Sequence, residues 1–290
     1  MKVILHDKCL WEPDYIRYDL LKEFPELTYI CLDTKQLLDI HTYKDIGPII
    51  FVFSTLKVKF DEIEPIVKYT KPQIIIQCSD EFGNDPRWLT LANDTKLILK
   101  QYNHRLLNIT NHPKILQIPL GYMKNIFFQK ESLEISVKPI KDRLLTWSFC
   151  GTVNKDRDEM LTVFKKWLPT HAHRFNLPPQ DMFDIYKNSI FVPNGRGATS
   201  LDCFRLYEAI LAGAIPVAVG SEEELNTTFS YNGDRPFFVF AKDWIEAVKL
   251  CTTLLKSPDL LQKLQEELIA WWKRHILEIR EHVSLALTHP

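Results

Sequence analysis

The chain has 290 residues, of which 46% are hydrophobic and 25% charged, a composition typical of ordinary globular proteins. This length accommodates one large domain or two smaller ones. The formal net charge of −1 argues against a protein that binds nucleic acid by general charge neutralisation, so we expect no nucleic-acid partner.

The N-terminal half alternates short β-like runs with helical ones. Strands are predicted at Lys2–His6, Thr28–Leu32, Pro48–Phe53, Gln73–Cys78, Leu97–Lys100 and Ile115–Ile118, and helices at Asp14–Glu23 and Phe60–Tyr69. Continuous apolar runs such as Ile49–Phe53 favour strands that are buried on both faces, which is typical of a parallel sheet between helices. After Pro119 the chain becomes polar and irregular up to Asp142, as a linker would.

The alternation then restarts in the C-terminal half. Strands are predicted at Leu144–Phe149, Ile190–Val192, Ile215–Val219 and Phe237–Phe240, and helices at Asp156–Trp167, Asp181–Lys187, Leu201–Leu211, Trp244–Leu254 and Pro258–Ile279. Two such series predict an α/β protein of two Rossmann-like domains whose parallel sheets face a cleft. We expect an N-terminal domain of residues 1–135 and a C-terminal domain of residues 136–290, with the last helix crossing between them and packing back on the first domain.

The six cysteines are far apart in sequence and contain no Cys-x-x-Cys pair. This spacing predicts reduced, mostly buried thiols rather than a disulfide framework or a zinc site. The first residues, Met1–His6, predict a strand rather than a signal peptide, because charged residues follow at once. No apolar run approaches the roughly 18 residues of a membrane span, so we expect a cytoplasmic protein with no membrane partner.

The most informative segment runs from Ser189 to Val217. Apolar, extended residues (Ile190–Val192) lead into small and hydrogen-bonding ones (Asn194–Ser200), and a helical face (Arg205–Leu211) follows. A loop that opens a helix at the carboxyl edge of a parallel sheet is a common anion-binding site, because free N–H groups and the positive helix end both point there.

Charged side chains in this segment indicate the kind of ligand. Arg196 and Arg205 add positive charge, and Glu208 lies one helical step beyond Arg205. The pattern predicts a ligand that has phosphates with hydroxyl groups nearby. The chain contains neither G-x-G-x-x-G nor G-x-x-x-x-G-K-[ST], so classical dinucleotide and P-loop sites are not favoured.

The same segment has the spacing of a known signature. The matching residues are Pro193-x-Gly195, Ser200, Arg205-Leu-Tyr-Glu-Ala-Ile and Gly213-x-Ile-Pro-Val217, with looser matches upstream at Ile118-Pro-Leu-Gly121 and at Phe149-Cys-Gly-Thr152 with Arg157. This pattern resembles the exostosin-like glycosyltransferases, and the branch that contains the ribitol xylosyltransferase of dystroglycan glycans most of all. The loop between Ser200 and Arg205 is longer than in the exostosins proper, so its contacts transfer least securely. The resemblance implies the GT-B architecture, and the N-terminus favours a virus-encoded or bacterial member.

The resemblance also implies the reaction. It predicts transfer of a sugar from a UDP-sugar, with xylose as the best guess, to a hydroxyl of a glycan acceptor. The UDP-sugar is a co-substrate, and no cofactor is expected. In transferases of this kind the C-terminal domain holds the nucleotide sugar and the N-terminal domain presents the acceptor. The predicted donor-binding residues are Gly151, Thr152, Arg157, Asn194, Gly195, Arg196, Gly197, Ser200, Arg205 and Glu208.

Roles follow from the chemistry of the leaving diphosphate. Guanidinium groups bind phosphate oxygens in pairs, which suits Arg157, Arg196 and Arg205 to this task, although each could equally form an ordinary salt bridge. Glu208 is the expected partner of the ribose hydroxyls. The His171-x-His173 pair could bind a metal in principle, but we expect a loop or strand-edge pair near Arg174-Phe175 that borders the nucleobase. We assign no metal-ligand motif to the site and therefore expect metal-independent transfer.

A general base is also needed, and the acidic pair Asp80-Glu81 follows a predicted buried strand whose carboxyl edge would open towards the cleft. Of the two we favour Asp80, with Asp33 and Asp85 as lesser candidates. The alternative is that Ser79-Asp80 caps a following helical turn. Single displacement with such a base would invert the anomeric centre.

Two other functions remain open at this stage. One is another GT-B enzyme, such as a phosphorylase or a nucleotide-sugar epimerase, which would not use an acceptor glycan. The other is a non-catalytic exostosin-like partner that binds glycan or nucleotide. The presence of Arg205, Glu208 and Asp80 together argues against the loss of turnover.

Overall fold

The computed structural model describes residues 1–39, 49–104, 107, 109–127 and 130–288. The described chain forms two compact units. Unit 1 comprises Met1–Leu120, Ser230–Gly233 and Ile276–Pro290, and unit 2 comprises Gly121–Phe229 and Asp234–His275.

Unit 1 is built on a six-stranded parallel sheet with the order β2-β1-β3-β4-β5-β6. The strands are β1 (Lys2–His6), β2 (Thr28–Leu32), β3 (Ile49–Ser54), β4 (Ile74–Cys78), β5 (Leu97–Gln101) and β6 (Ile115–Ile118). Every residue of the four strands from β3 to β6 is buried, which explains their continuous apolar sequences.

The helices of unit 1 are short. They are α1 (Pro13–Tyr15), which continues as a π-helical turn (Ile16–Leu20), then α2 (Thr34–Leu38), α3 (Phe60–Thr70) and a 3₁₀ helix (Pro86–Asn93). The predicted helix Asp14–Glu23 is therefore wrong in its extent. The N–H group of Leu21 bonds to the carbonyl of Ile16, five residues back, and Pro25 keeps the preceding residue out of helical geometry.

Unit 2 contains a five-stranded parallel sheet with the order β11-β10-β9-β7-β8. Its strands are β7 (Leu145–Cys150), β8 (His171–Arg174), β9 (Ser189–Pro193), β10 (Ile215–Val219) and β11 (Val239–Ala241), and its helices are α4 (Lys155–Trp167), α5 (Pro179–Lys187), α6 (Phe204–Leu211), α7 (Glu222–Thr228) and α8 (Trp244–Leu254). Helix α6 ends before Gly213, which has a φ of +71°. A side chain there would strain the turn and place its Cβ 2.5 Å from Arg143 Nη2.

Both sheets share one doubly wound strand order. Numbered within each unit, the first five strands lie in the order 2-1-3-4-5, so the order in which strands are added to the sheet reverses between the first and third strands. Ligands of such sheets bind at this switch point, outside the carboxyl ends of the strands. A ligand is therefore expected at the carboxyl ends of β1 and β3 in unit 1 and of β7 and β9 in unit 2.

The last helix, α9 (Pro258–Thr288), is the longest described. Residues 258–275 belong to unit 2, and the helix from Ile276 onward belongs to unit 1. Within unit 2 it holds the polar stretch before β7, because Trp272 Nε1 donates to Ser132 Oγ at 2.7 Å and Gln262 Oε1 accepts the N–H of Ile140 at 3.0 Å. Among the described helices, none is both long enough and apolar enough to cross a membrane.

Candidate functional site

The switch point of unit 2 is fixed at the end of β7. The buried Tyr186 hydroxyl donates to the carbonyl oxygen of Cys150 at 3.2 Å and lies 3.3 Å from its N–H group. Arg205, from the first turn of α6, donates from Nε to the same carbonyl at 2.8 Å. The strand end is thus tied to two helices, which makes it a rigid position for a ligand.

Arg205 and Glu208 form an ion pair at this point. Arg205 Nη1 lies 3.3 Å from Glu208 Oε2, and the completely buried Glu208 accepts the N–H of Met123 at 3.3 Å through Oε1. Burial raises the pKa of the Glu208 carboxyl, and the Arg205 charge opposes that shift. Burial is the largest single influence and disfavours the Arg205 charge, but Glu208, Tyr186, Cys203 and Cys150 together outweigh it, and the pKa of the guanidinium is raised. Arg205 therefore offers a permanent positive charge.

A cavity of about 140 Å³ opens beside this pair. Its lining brings together three of the predicted donor-binding residues, Gly151, Thr152 and Arg205. The loop after β8 closes another side of the cavity with Phe175, which is 67% exposed, and Asn176. The N–H of Gly151 already donates to the carbonyl of Arg174 at 3.1 Å, so this amide is used within the fold.

The Arg157 guanidinium is held by backbone carbonyls of the segments that follow β7 and β9. Its Nη1 donates to the carbonyl of Thr152 at 2.8 Å, and its Nη2 lies 3.5 Å from that of Gly195. The buried Nε has no hydrogen-bond partner in the described part of the chain. Glycine at 195 is required by this packing, because a Cβ there would lie 2.5 Å from Arg157 Cγ.

The remaining predicted donor-binding residues serve the loop after β9. Arg196 forms a bidentate ion pair with Glu224, which raises the pKa of the guanidinium. Asn194 is buried and donates to the carbonyl of Leu201 at 3.0 Å. The N–H of Gly197 donates to the carbonyl of Ser200 at 3.0 Å, and Ser200 Oγ accepts the N–H of Asp202 at the same distance. None of these four residues lines the described cavity.

One acidic motif was missed in the sequence. Asp156-Arg157-Asp158, at the start of α4, has the Asp-x-Asp spacing that can bind a metal-linked diphosphate. Asp156 is used within the fold: Oδ2 accepts the N–H of Arg196 at 2.7 Å, and Oδ1 accepts Trp244 Nε1 at 3.3 Å.

In unit 1 the predicted base Asp80 lies in a constrained turn after β4. Ser79 has a φ of +60°, a left-handed conformation that is costly for a residue other than glycine, and its N–H donates to Gln101 Oε1 at 2.8 Å. His104 Nε2 donates to the carbonyl of Asp80 at 2.6 Å. Asp80 Oδ2 lies 2.6 Å from Nζ of Lys100, a completely buried residue whose pKa is lowered by burial.

The other predicted acidic candidates are Glu81 and Asp85, which lie near Asp80, and Asp33, which lies elsewhere in unit 1. Glu81 is half-buried and, with Asp80 and Asp85, lines a second cavity of about 460 Å³ in unit 1. Asp85 also caps the 3₁₀ helix by accepting the N–H of Arg87 at 3.0 Å. Asp33 caps α2 and accepts the N–H of Gln36 at 2.8 Å, which gives this residue a structural role.

Sequence reasoning missed a buried carboxylate beside the turn. Glu12 is completely buried, and Ser79 Oγ donates to its Oε1 at 2.8 Å. Burial raises the pKa of Glu12. Cys9, Glu12 and Cys78 have donor atoms within 4.8 Å of one another, the one such trio of metal-capable side chains within the described ranges. It lies in unit 1, away from the lining of the unit 2 cavity.

The residues that bond to the Ser79-Asp80 turn could have been found in the sequence, because they are polar residues near the ends of buried strands. Lys100 and Gln101 end the apolar run of β5, and Gln77 lies near the end of β4. Charged and amide side chains are rarely buried without partners, so their presence at carboxyl ends of buried strands indicates a polar network at that edge.

Comparison with known proteins supports the fold. No family model matches the chain, and no curated protein matches it. Solved structures do. An alpha-glucosyltransferase in complex with UDP and a 13-mer DNA containing an HMU base has a TM-score of 0.61 at 10% identity, with 100% of both chains covered. T4 phage BGT in complex with its UDP-glucose substrate has a TM-score of 0.56 at 11% identity, again with 100% of both chains covered.

A third similar structure is the O-GlcNAc transferase of Thermobaculum terrenum, with a TM-score of 0.51 at 8% identity over 99% of this chain and 66% of the other. These structures share the GT-B fold. The predicted α/β class, the two parallel-sheet units of GT-B type and the long C-terminal helix are therefore confirmed.

Proposed function

We propose that the protein is a UDP-sugar-dependent glycosyltransferase. The observation on which this rests is the unit 2 cavity, where Arg205 and its buried partner Glu208 lie at the switch point of a doubly wound sheet. Structurally similar enzymes with bound UDP or UDP-glucose support the same donor class. Arg205 of the exostosin-like signature lines this cavity together with Gly151 and Thr152 of the looser upstream match, which supports the finer assignment to that branch and to xylose.

The donor would bind through charge and stacking. Arg205 presents a fixed guanidinium to the diphosphate, and Glu208 orients it. Glu208 itself is completely buried and does not line the cavity, so its predicted contact with ribose hydroxyls is not part of this proposal. Phe175 offers an exposed aromatic face to the uracil ring. Arg157, with its unpartnered Nε, is the second guanidinium of the proposed site.

The residues around the cavity support the proposal of metal-independent transfer. Of the described residues that line it, none has a carboxylate that would hold a divalent cation against the diphosphate. Helix α6 begins at the same place, and its N-cap residue, Cys203, makes no side-chain cap hydrogen bond. A helix N-terminus in this state favours negative charge, and together with Arg205 it would stabilise the leaving diphosphate.

Inversion requires a base that takes the proton of the acceptor hydroxyl. We assign this role to the Asp80-Glu81 turn of unit 1. Since Asp80 Oδ2 is occupied by Lys100, Glu81 accepts the proton in this proposal and Asp80 holds the turn in place. The acceptor is a glycan hydroxyl, and its proton leaves as the C1–O bond to UDP breaks and the new C1–O bond forms on the opposite face.

The test is a turnover assay in EDTA. Purified protein is incubated with UDP-xylose, UDP-glucose and UDP-N-acetylglucosamine in separate reactions with a panel of glycans, and released UDP is measured. We expect acceptor-dependent UDP release with one preferred sugar, and NMR of the product should show the inverted anomer. Glu81→Gln should abolish release, whereas Glu26→Gln, an exposed glutamate of the same unit, should not.

Other results would contradict parts of the proposal. UDP binding without any release would favour a non-catalytic nucleotide-binding protein. Conversion of the UDP-sugar to its epimer without an acceptor would favour an epimerase. Retention of the anomeric configuration would refute the direct-displacement role of Glu81, and activity restored only by a divalent cation would refute metal independence.

A further inference from the structure

A second cavity, of about 460 Å³, lies entirely within unit 1, at the carboxyl ends of β3 and β4. Its floor is rigid, because Trp88 packs against Phe53 and Phe60 with ring centroids 5.3 Å and 5.2 Å away. Its volume lies within the range of small-molecule sites. The feature is therefore a preformed recess rather than a gap between mobile loops.

The rim of this cavity is apolar on one side. Phe82 is 48% exposed and Leu56 is 41% exposed, and both line the recess. Large apolar side chains that are exposed together at the rim of a polar recess mark a binding surface. An aromatic ring in this setting offers a flat face on which the C–H groups of a sugar ring can be buried.

The cavity lining also holds a fixed array of planar polar groups. Arg87 donates to both oxygens of Asp85 (Nε to Oδ1 at 2.9 Å and Nη2 to Oδ2 at 2.7 Å) and from Nη1 to Asp61 at 2.8 Å. Its guanidinium also lies 4.7 Å from the ring centroid of Phe60. Held from three sides, the donors and acceptors have fixed directions, which suits the paired hydroxyl groups of a pyranose.

The charge of the lining selects between two classes of macromolecule. Four carboxylates line the cavity, on Asp61, Asp80, Glu81 and Asp85, against two cations, on Lys59 and Arg87. Lys100 pairs with Asp80, which leaves the carboxylates of Asp61, Glu81 and Asp85 against these two cations. The remaining excess of negative charge disfavours a phosphodiester backbone, since nucleic-acid binding depends on cations at the phosphates. An uncharged carbohydrate meets no such penalty.

We propose that this cavity binds an uncharged pyranose of a glycan, stacked on Phe82 and hydrogen-bonded by the Asp61–Arg87–Asp85 array. The inference rests on the proposed function, because the ligand would be the acceptor. Glu81 lines the same recess, so a hydroxyl of the bound ring would lie at the carboxylate assigned as the base. The acceptor class is thereby a neutral glycan, although nucleic acid occurs with a structurally similar enzyme.

The experiment is saturation-transfer difference NMR on the full chain without UDP. The probes are methyl glycosides of xylose, glucose and galactose, and neutral disaccharides of these sugars. We expect saturation transfer to at least one neutral sugar, and at least tenfold weaker binding in Phe82→Ala and in Asp85→Asn. Asparagine can still cap the 3₁₀ helix, so the second variant keeps its fold while losing the carboxylate.

A matched variant serves as the control for this experiment. Tyr69→Ala, an exposed aromatic of the same unit outside the cavity lining, should leave sugar binding unchanged. Absence of sugar binding, sugar binding that Phe82→Ala leaves intact, or salt-sensitive binding of a short DNA duplex that Phe82→Ala weakens would each overturn the inference.

Calorimetric titration of the same samples with UDP separates this inference from the proposed function. If UDP binds and no sugar does, the acceptor assignment fails alone. If a sugar binds in the cavity and UDP does not, the acceptor cavity stands and the transferase proposal fails.

Discussion

The ion pair between Asp80 and Lys100 provides a test of whether the turn after β4 is structural or catalytic. The two charged groups are 2.6 Å apart, and their side chains are 8% and 0% exposed. Removing one partner from a buried pair leaves the other charge without compensation, which typically costs about 3–5 kcal/mol. Replacing both residues by uncharged ones of similar volume lowers the free energy of unfolding much less.

We therefore expect Asp80→Asn and Lys100→Met each to lower the free energy of unfolding by about 3 kcal/mol or more. The Asp80→Asn/Lys100→Met double variant should be more stable than either single variant, because it leaves no unpaired charge. Urea denaturation followed by far-UV circular dichroism measures all four proteins. Lys68→Met, which removes an exposed cation paired with Glu64, is the control and should leave the unfolding midpoint nearly unchanged.

The double variant also separates stability from catalysis. If Asp80 only holds the turn, the folded double variant keeps a large part of its glycosyl transfer. If Asp80 itself accepts the proton, the double variant is folded but inactive. If each single variant lost little free energy of unfolding and the two losses added up in the double variant, the two buried charges would not depend on each other, contrary to this expectation.

Three further predictions follow from the structure. Phe175→Ala should weaken UDP binding by about 1–3 kcal/mol, roughly 5- to 150-fold, whereas the equally exposed Phe237→Ala should not; equal affinities by calorimetry would exclude stacking on Phe175. Because burial raises the pKa of Glu12, its contribution to stability is complete below pH 4.5 and is lost as the pH rises through the folded-state value. Glu12→Gln should therefore gain stability relative to wild type from acid to neutral pH in urea titrations; a difference independent of pH would contradict this, and Glu26→Gln is the control. Finally, EDTA should leave the Kd for UDP unchanged, and a loss of affinity that Mg²⁺ restores would reveal a metal in the donor site.

The sequence was informative wherever local periodicity decides the structure. The bounds of β1, β2, β6, β10 and α8 agree with the predicted ones, because their apolar patterns end at clear turn residues. The strand–loop–helix order around β9 and α6 was also predicted, but the predicted helix Leu201–Leu211 is wrong at its start, because α6 begins at Phe204. The prediction for Pro48 lies outside the described residues, although β3 itself begins at Ile49.

The sequence did not reveal which charged residues, distant along the chain, pair with each other in the fold. Arg196, in the loop after β9, pairs with Glu224 of α7, and Asp80, after β4, pairs with Lys100 of β5. No periodicity reports which cation meets which carboxylate across a parallel sheet. For the same reason the sequence could not show that the amide of Gly151 is used by the carbonyl of Arg174. The site residues predicted from the signature remain predictions until ligand binding is measured.

The most direct test of the account is calorimetric titration of UDP into wild type, Arg205→Ala, Glu208→Gln and the control Arg274→Ala, in EDTA. Arg274 is an exposed arginine of unit 2 that pairs with Asp234, so it matches the lost charge without touching the cavity. We expect UDP to bind wild type and the control, and the binding free energy to fall by about 2 kcal/mol or more, roughly 30-fold in Kd, in Arg205→Ala, with a smaller loss in Glu208→Gln. Failure of wild type to bind UDP at millimolar concentration, or equal binding by all four proteins, would contradict the donor site proposed here.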